Sequence, residues 1–196
     1  MRIFHYVILP FYKPNKGIQD LISDEKKILY SSLIFLFLGV IYTFSVQLAY
    51  MKGLGASVEP ILKIPENEYY YWQRFYQIPF FFITSVLTAG VFRLLSNIFK
   101  GVGSFEDHYC VYCIAQTFPM FFTMWVPETI YFVFFGQATV MPNWFDIGRQ
   151  VLGVLWPLSI MVFGIVKIEK IKLHLAILVS IIGVIPAVSL MVVFIR

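Results

Sequence analysis

An all-α bundle that crosses a membrane is the fold class this sequence predicts, and three observations carry the prediction. Of 196 residues, 59% are hydrophobic and 13% charged, against about half apolar and a quarter charged in soluble domains. Five apolar runs approach or reach the length of about 20 residues that a helix needs to cross the hydrocarbon layer. Aromatic residues make up 19% of the chain, with 21 Phe and 12 Tyr, as suits lipid-facing and interfacial surfaces. The expected architecture is a polytopic bundle of five transmembrane helices (23–196) behind a short N-terminal interfacial segment (1–22).

The elements follow in order. From Met1 to Ile22, aromatic and aliphatic residues (Phe4, Tyr6, Val7, Ile8, Leu9, Phe11) mix with Arg2, Lys13 and Lys16. That apolar run is too short to span and predicts a segment lying along the interface. It also lacks the apolar core and cleavage site of a signal peptide, so it reads as retained. Ser23 offers an N-cap, with Asp24 and Glu25 in the first turn, for a first span from Ile28 to about Tyr50. The loop Met51 to Tyr71 carries Gly53, Gly55, Pro60, Pro65, Glu59, Glu66 and Glu68, and Tyr69 to Trp72 close it as an interfacial belt. The second span runs from about Ile78 to Phe99 and the third from Tyr109 to Val126. Pro127 either ends the third or kinks it, so that Thr129 to Phe135 continue the helix or lie in the outer interface. Pro142, Asn143 and Asp146 open a fourth span, Phe145 to Val166. The short basic link Lys167 to Lys172 then makes a helical hairpin with a fifth, Leu173 to Ile195.

Five spans put the termini on opposite sides. Arg2, Lys13, Lys16, Lys26, Lys27, Arg93, Lys100, Lys167, Lys170 and Lys172 lie toward one side; Lys52, Lys63, Arg74, Arg149 and Arg196 lie toward the other. This asymmetry predicts a cytoplasmic N-terminus and an outside C-terminus. The basic rim suits anionic lipid headgroups. The net charge of +4 needs no nucleic acid to explain it, and no nucleic-acid motif is present. The lipid bilayer is thus the first expected partner; no oligomeric state is read from the sequence.

Around one stretch the rest is organised. Gly101 and Gly103 allow a tight turn, after which Ser104 caps a helix and Asp107 reaches back to complete a variant capping box. Glu106 and Asp107 suit the positive helix end. This turn lacks the lysine and spacing of a phosphate loop.

Within the spans, polar residues mark candidate sites. Arg93 shares a face with Ser85, Ala89 and Asn97 at four-residue spacing. Its structural role is to snorkel or to pair with Glu106 or Asp107; its functional one is to line a polar path with Asn97 and Gln116. Glu128, beside Trp125 and Pro127, is an interface residue if the span ends there and a proton or cation site if the helix continues. His108, Cys110 and Cys113 are soft ligands, but positions 108 and 110 point about 200° apart on one helix, which argues against a metal. The cysteines are read as reduced packing residues without a disulfide. Ala176, Ser180, Gly183 and Ala187 form a small-residue face for close helix packing. No nucleophile and base pair, paired catalytic carboxylates or metalloprotease string occurs, so neither enzyme activity nor a cofactor is expected.

Three places resemble the Yip-domain family, named for Ypt-interacting proteins, in its prokaryotic form. Lys100-Gly101-Val102-Gly103-Ser104-Phe105-Glu106, followed by a Tyr-rich helix with Pro119, is similar to the family's Gly-x-Gly-Ser-Phe turn and proline-bearing third helix. Pro10-Phe11 to Lys16 and Asp24 to Tyr30 resemble its interfacial lead. Trp156, Ser159, Gly164 and Lys170 to Ala176 resemble its closing hairpin. The resemblance implies five transmembrane helices with a cytoplasmic N-terminus and, in eukaryotic relatives, binding of small Rab-type GTPases in vesicle traffic. It singles out Gly101, Gly103, Ser104, Phe105 and Glu106 as a candidate functional turn. The expected function is an interaction, scaffolding or accessory role toward a protein partner in a membrane or trafficking complex of a prokaryotic cell membrane. The alternative is a small transporter, channel or lipid-handling protein.

Overall fold

The computed structural model describes residues 5, 6, 8, 9, 12–54, 61–136 and 141–194. Several residues used above lie outside them: Arg2, Phe4, Val7, Pro10 and Phe11 of the interfacial segment, Gly55, Glu59 and Pro60 of the long loop, and Ile195 and Arg196 at the end. Among the described residues every regular element is helical. A short helix α1 (Pro14–Ile22) is followed by α2 (Lys27–Met51), α3 (Tyr69–Ile98), α4 (Phe105–Met120), a π-helical turn Phe121–Trp125, α5 (Val126–Phe135), α6 (Asn143–Glu169), α7 (Leu173–Gly183) and α8 (Ile185–Phe194). Among the described residues five continuous helical stretches are long and apolar enough to cross a membrane: Lys27–Met51, Glu66–Ile98, Phe105–Phe135, Asn143–Glu169 and Leu173–Phe194. The all-α five-span architecture read from composition is the one observed.

Helix α4 is the centre of the bundle. Seven consecutive residues, Tyr109 through Ala115, are buried, a pattern that arises when neighbours surround a helix on every side. Its neighbours are α1, α2, α3 and α6. Gly164 of α6 lets Val111 approach its backbone, and Gly183 of α7 does the same for the ring of Phe92 on α3. Ala176, Ser180, Gly183 and Ala187 are all buried, so the small-residue face packs as expected. Free Cys110 and Cys113 are buried in this core.

Several element boundaries differ from the sequence reading, each for a local reason. Ser23 does not cap α2: its hydroxyl donates to Gln19 O at 2.9 Å and closes α1 instead. Asp24 accepts from the N–H of Lys26 at 2.8 Å, and α2 starts only at Lys27. Tyr69 to Trp72 do not end a loop but form the first turn of α3. The hydroxyls of Tyr69 and, two turns on, Tyr76 donate to Phe194 O at 2.5 and 2.9 Å, tying the start of α3 to a carbonyl in the last turn of α8. The third span does not stop at Pro127. Pro119 and Pro127 remove two backbone donors, the intervening turn widens into a π-turn, and the helix runs on to Phe135. Trp125 Nε1 braces that turn by donating to Ser45 Oγ at 2.7 Å and Ile41 O at 3.1 Å. The fifth span breaks at Val184, ahead of Pro186.

Two ends of the bundle are defined by their contacts. Lys27 bonds Asp107 at 2.6 Å, and the α3–α4 turn meets the end of α6; this is the basic end. At the opposite end Lys52 lies 4.4 Å over the ring of Phe132, and Arg149 of α6 meets Glu128 of α5.

Candidate functional site

The basic end is built around Glu169, the last residue of α6, which the sequence reading did not single out. Its side chain is 0% exposed. A carboxylate at a helix C-terminus opposes the helix dipole, and burying one costs several kcal/mol unless it is paired and hydrogen-bonded. Here three donors, one from each of two other helices and one from the turn between them, answer it. The N–H of Gly103 donates to Oε2 at 2.7 Å, His108 Nε2 contacts Oε1, and Arg93 Nη1 lies 3.4 Å from Oε1. Arg93 Nη1 also donates to Gly101 O at 3.3 Å. Because a carboxylate can only accept, Nε2 of His108 is the protonated nitrogen, and Nδ1 is left as a buried atom without a hydrogen-bond partner in the structure.

The turn that delivers Gly103 is shaped by two devices. Helix α3 ends in a Schellman arrangement, with Gly101 N–H donating to Ser96 O at 3.0 Å and Lys100 N–H to Asn97 O at 3.0 Å. The left-handed residue this motif requires is Lys100, at φ 59°. Gly101 and Gly103 are not in that region, so the tight-turn role expected of them is corrected: they provide space. A Cβ on Gly101 would collide with Glu169 Oε2, and one on Gly103 would stand 3.0 Å from its Cδ. The second device is the capping box, present as read from the sequence. Asp107 N–H donates to Ser104 Oγ at 3.2 Å and Ser104 N–H to Asp107 Oδ2 at 3.1 Å.

This geometry overturns the expected partner of Arg93. Asp107 is taken by Lys27, Glu106 is exposed, and Arg93 reaches Glu169 instead. The face proposed for Arg93 also rotates out of the core: four-residue steps advance about 40° beyond a full turn, so Ser85 and Ala89 are buried, Arg93 half-buried and Asn97 exposed. Gln116 is half-buried on α4, eight residues or about 12 Å along the axis from His108. The structure therefore does not bring Arg93, Asn97 and Gln116 together. Within the candidate turn, Gly103 is buried, Gly101 and Ser104 are half-buried, and Val102, Phe105 and Glu106 project outward.

Glu128 sits in a second cluster, at the opposite end and on a helix that continues past it. Arg149 Nη1 donates to its Oε1 at 2.8 Å, while Arg149 Nη2 and Nε hold Asp146 Oδ1 at 2.6 and 2.7 Å. Its carboxylate is an ion-pair partner held by α6. His108 faces Glu169 rather than the thiols of Cys110 and Cys113, and among the described residues no group of His, Cys, Asp and Glu has the arrangement of a metal site.

The signal that could have found Glu169 was its place: one acid in the basic segment Lys167 to Lys172, at the end of an apolar span, where the helix dipole disfavours it. What it touches was not readable, because Gly103 lies 66 residues earlier.

Five apolar helices that alternate between two charged ends define a multi-pass membrane protein. A family model described as Yip1 domain matches residues 9–195. The chain belongs to the Yip1 domain family, which is linked to membrane trafficking. No curated protein and no solved structure matches it.

Proposed function

We propose that the protein is an interaction or scaffolding partner of another membrane or trafficking complex, and that the α3–α4 turn at its basic end is the surface it offers. In this reading the N-terminus and the turn are cytoplasmic, the C-terminus is outside, the membrane is that of a prokaryotic cell, and no reaction is catalysed. One observation carries the proposal: the Glu169 clamp consumes the polar groups around Arg93 and holds the turn in one shape, with Val102, Phe105 and Glu106 facing outward. A rigid, outward-facing turn suits recognition, since preorganised surfaces lose less entropy on binding. The separation of Arg93, Asn97 and Gln116 weighs against the transport alternative, which needs polar groups that converge on one path.

The test is mild-detergent copurification with a photo-crosslinking residue at position 102, beside proton and potassium flux in reconstituted vesicles. Crosslinking to a discrete protein, lost on Glu106→Lys while the variant keeps its unfolding temperature, supports the reading. Flux in the wild type that disappears in Arg93→Leu would overturn it in favour of transport.

A further inference from the structure

Among the described residues three non-glycine positions have positive φ, and all are lysines: Lys63 at 51°, Lys100 at 59° and Lys170 at 55°. Lys63 lies in the loop before α3, at the opposite end, and closes no helix. Lys100 and Lys170 each terminate a helix at a position where glycine would sit without strain, and each directly adjoins the clamp. Lys100 precedes Gly101, whose backbone abuts the carboxylate of Glu169; Lys170 follows Glu169 itself. The contact between Gly101 and Glu169 thus brings two strained lysines, from helices far apart in sequence, to one place at the edge of the bundle. Both side chains are exposed, and neither has an ion-pair partner among the described residues. Arg93 adds a third cation, 29% exposed, with Nη1 engaged by Gly101 O and Glu169. The acids nearby cancel only part of this charge: Glu169 offsets one of the three cations through its contact with Arg93, and Asp107 is occupied by Lys27. Glu106 is the exposed carboxylate of the same turn.

We infer that Lys100 and Lys170, with the exposed part of Arg93, form a discrete site for the phosphate of an anionic phospholipid headgroup where α3 and α6 end. Strain persists where the surrounding structure holds it for a purpose, and here the Glu169 contact holds both helix ends. The location suits a headgroup, since apolar helix surface continues from the site: Ile98, the last residue of α3, and Leu94, one turn before it, are exposed. Acyl chains can lie along that surface while the phosphate meets the ammonium groups. A cation at a helix C-terminus also answers the helix dipole. That contribution is present in neutral lipid too, so the increment that depends on anionic lipid isolates headgroup contact. The inference is independent of any protein partner and is tested on the purified chain.

The experiment places the 196-residue chain in nanodiscs of phosphatidylcholine, or of phosphatidylcholine mixed with phosphatidylglycerol. It records the unfolding temperature and, by native mass spectrometry, the phosphatidylglycerol retained. The wild type should unfold at a higher temperature in the mixed discs and retain phosphatidylglycerol. Lys100→Gln with Lys170→Gln should lose both effects, whereas Lys167→Gln with Lys172→Gln, the same charge change on the same rim, should keep them. If the Lys100 and Lys170 pair also lowers stability in phosphatidylcholine, Lys100→Arg with Lys170→Arg decides, because it must preserve the lipid-dependent rise. Equal loss in both glutamine pairs would reduce the site to a diffuse basic rim. No rise in the wild type, or the same rise with inorganic phosphate in phosphatidylcholine discs, would overturn the headgroup assignment.

Discussion

The two charged ends of the bundle use opposite arrangements. At the basic end one carboxylate, Glu169, lies at the centre with donors around it and is closed from solvent. At the opposite end one cation, Arg149, lies at the centre between Asp146 on its own helix and Glu128 on α5. Its side chain is 11% exposed, but that of Glu128 is 41% exposed. The first cluster joins three helices and a backbone turn; the second joins one helix turn to one neighbour. An ion pair with an exposed member contributes less, whereas removing one member of a buried set leaves the others unsatisfied. Breaking the two ends should therefore have very different consequences.

The largest effect is expected from Glu169→Ala. It strands Arg93, His108 and the N–H of Gly103 and should cost about 3–5 kcal/mol, read as a lowered unfolding temperature in detergent together with new protease cleavage near residues 100–104. Cleavage unchanged from wild type would show that the turn is held by its capping box alone. From the other side of the pair, Arg93→Leu should cost about 2 kcal/mol, more than an exposed rim pair would, because the carboxylate it leaves is buried but still accepts from Gly103 and His108. A loss below about 0.5 kcal/mol would indicate that those two donors suffice.

Glycines sharpen the same comparison. Gly101→Ala should destabilise by about 2–3 kcal/mol, since its methyl group needs the space of Glu169 Oε2. Gly53→Ala has open space but a φ of 67° and should cost about 1 kcal/mol. The double variant Gly101→Ala with Glu169→Ala supplies the check: it should be less destabilised than the sum of its parts, because the collision disappears with the carboxylate. The smallest effect belongs to the opposite end, where Glu128→Gln should cost about 1 kcal/mol or less, as Arg149 keeps Asp146. A loss there as large as that of Glu169→Ala would mean that the two ends are equivalent after all.

Much of the candidate site could be read from local sequence. The Ser104 and Asp107 capping box depends on residues three apart, and the small-residue face from Ala176 to Ala187 on helical spacing; both stand as read. Arg93 was recognisable as a costly residue within a span, yet its partner was assigned to the nearest carboxylates in the chain. Lys27 had taken one of them, 80 residues away in sequence, and Glu169 answered Arg93 from a helix 76 residues further on. Gly101 and Gly103 were also recognised but explained by backbone freedom, whereas the left-handed position fell to Lys100 and the glycines were needed for room.

The sequence by itself determined the solvent and the repeat of the elements. Runs of apolar residues long enough for the hydrocarbon layer must become helices, because a backbone in lipid has to satisfy its own hydrogen bonds, and the charged segments between them mark where the runs stop. Only the tertiary structure decided that α4 would be the buried centre, that the third span would pass Pro127 through a π-turn, and that Glu169 would become the point where three helices meet. The physical reason is one of range. Helix formation and capping are settled within a few residues, while a buried charge is satisfied by whichever donors the packing of distant helices brings to it.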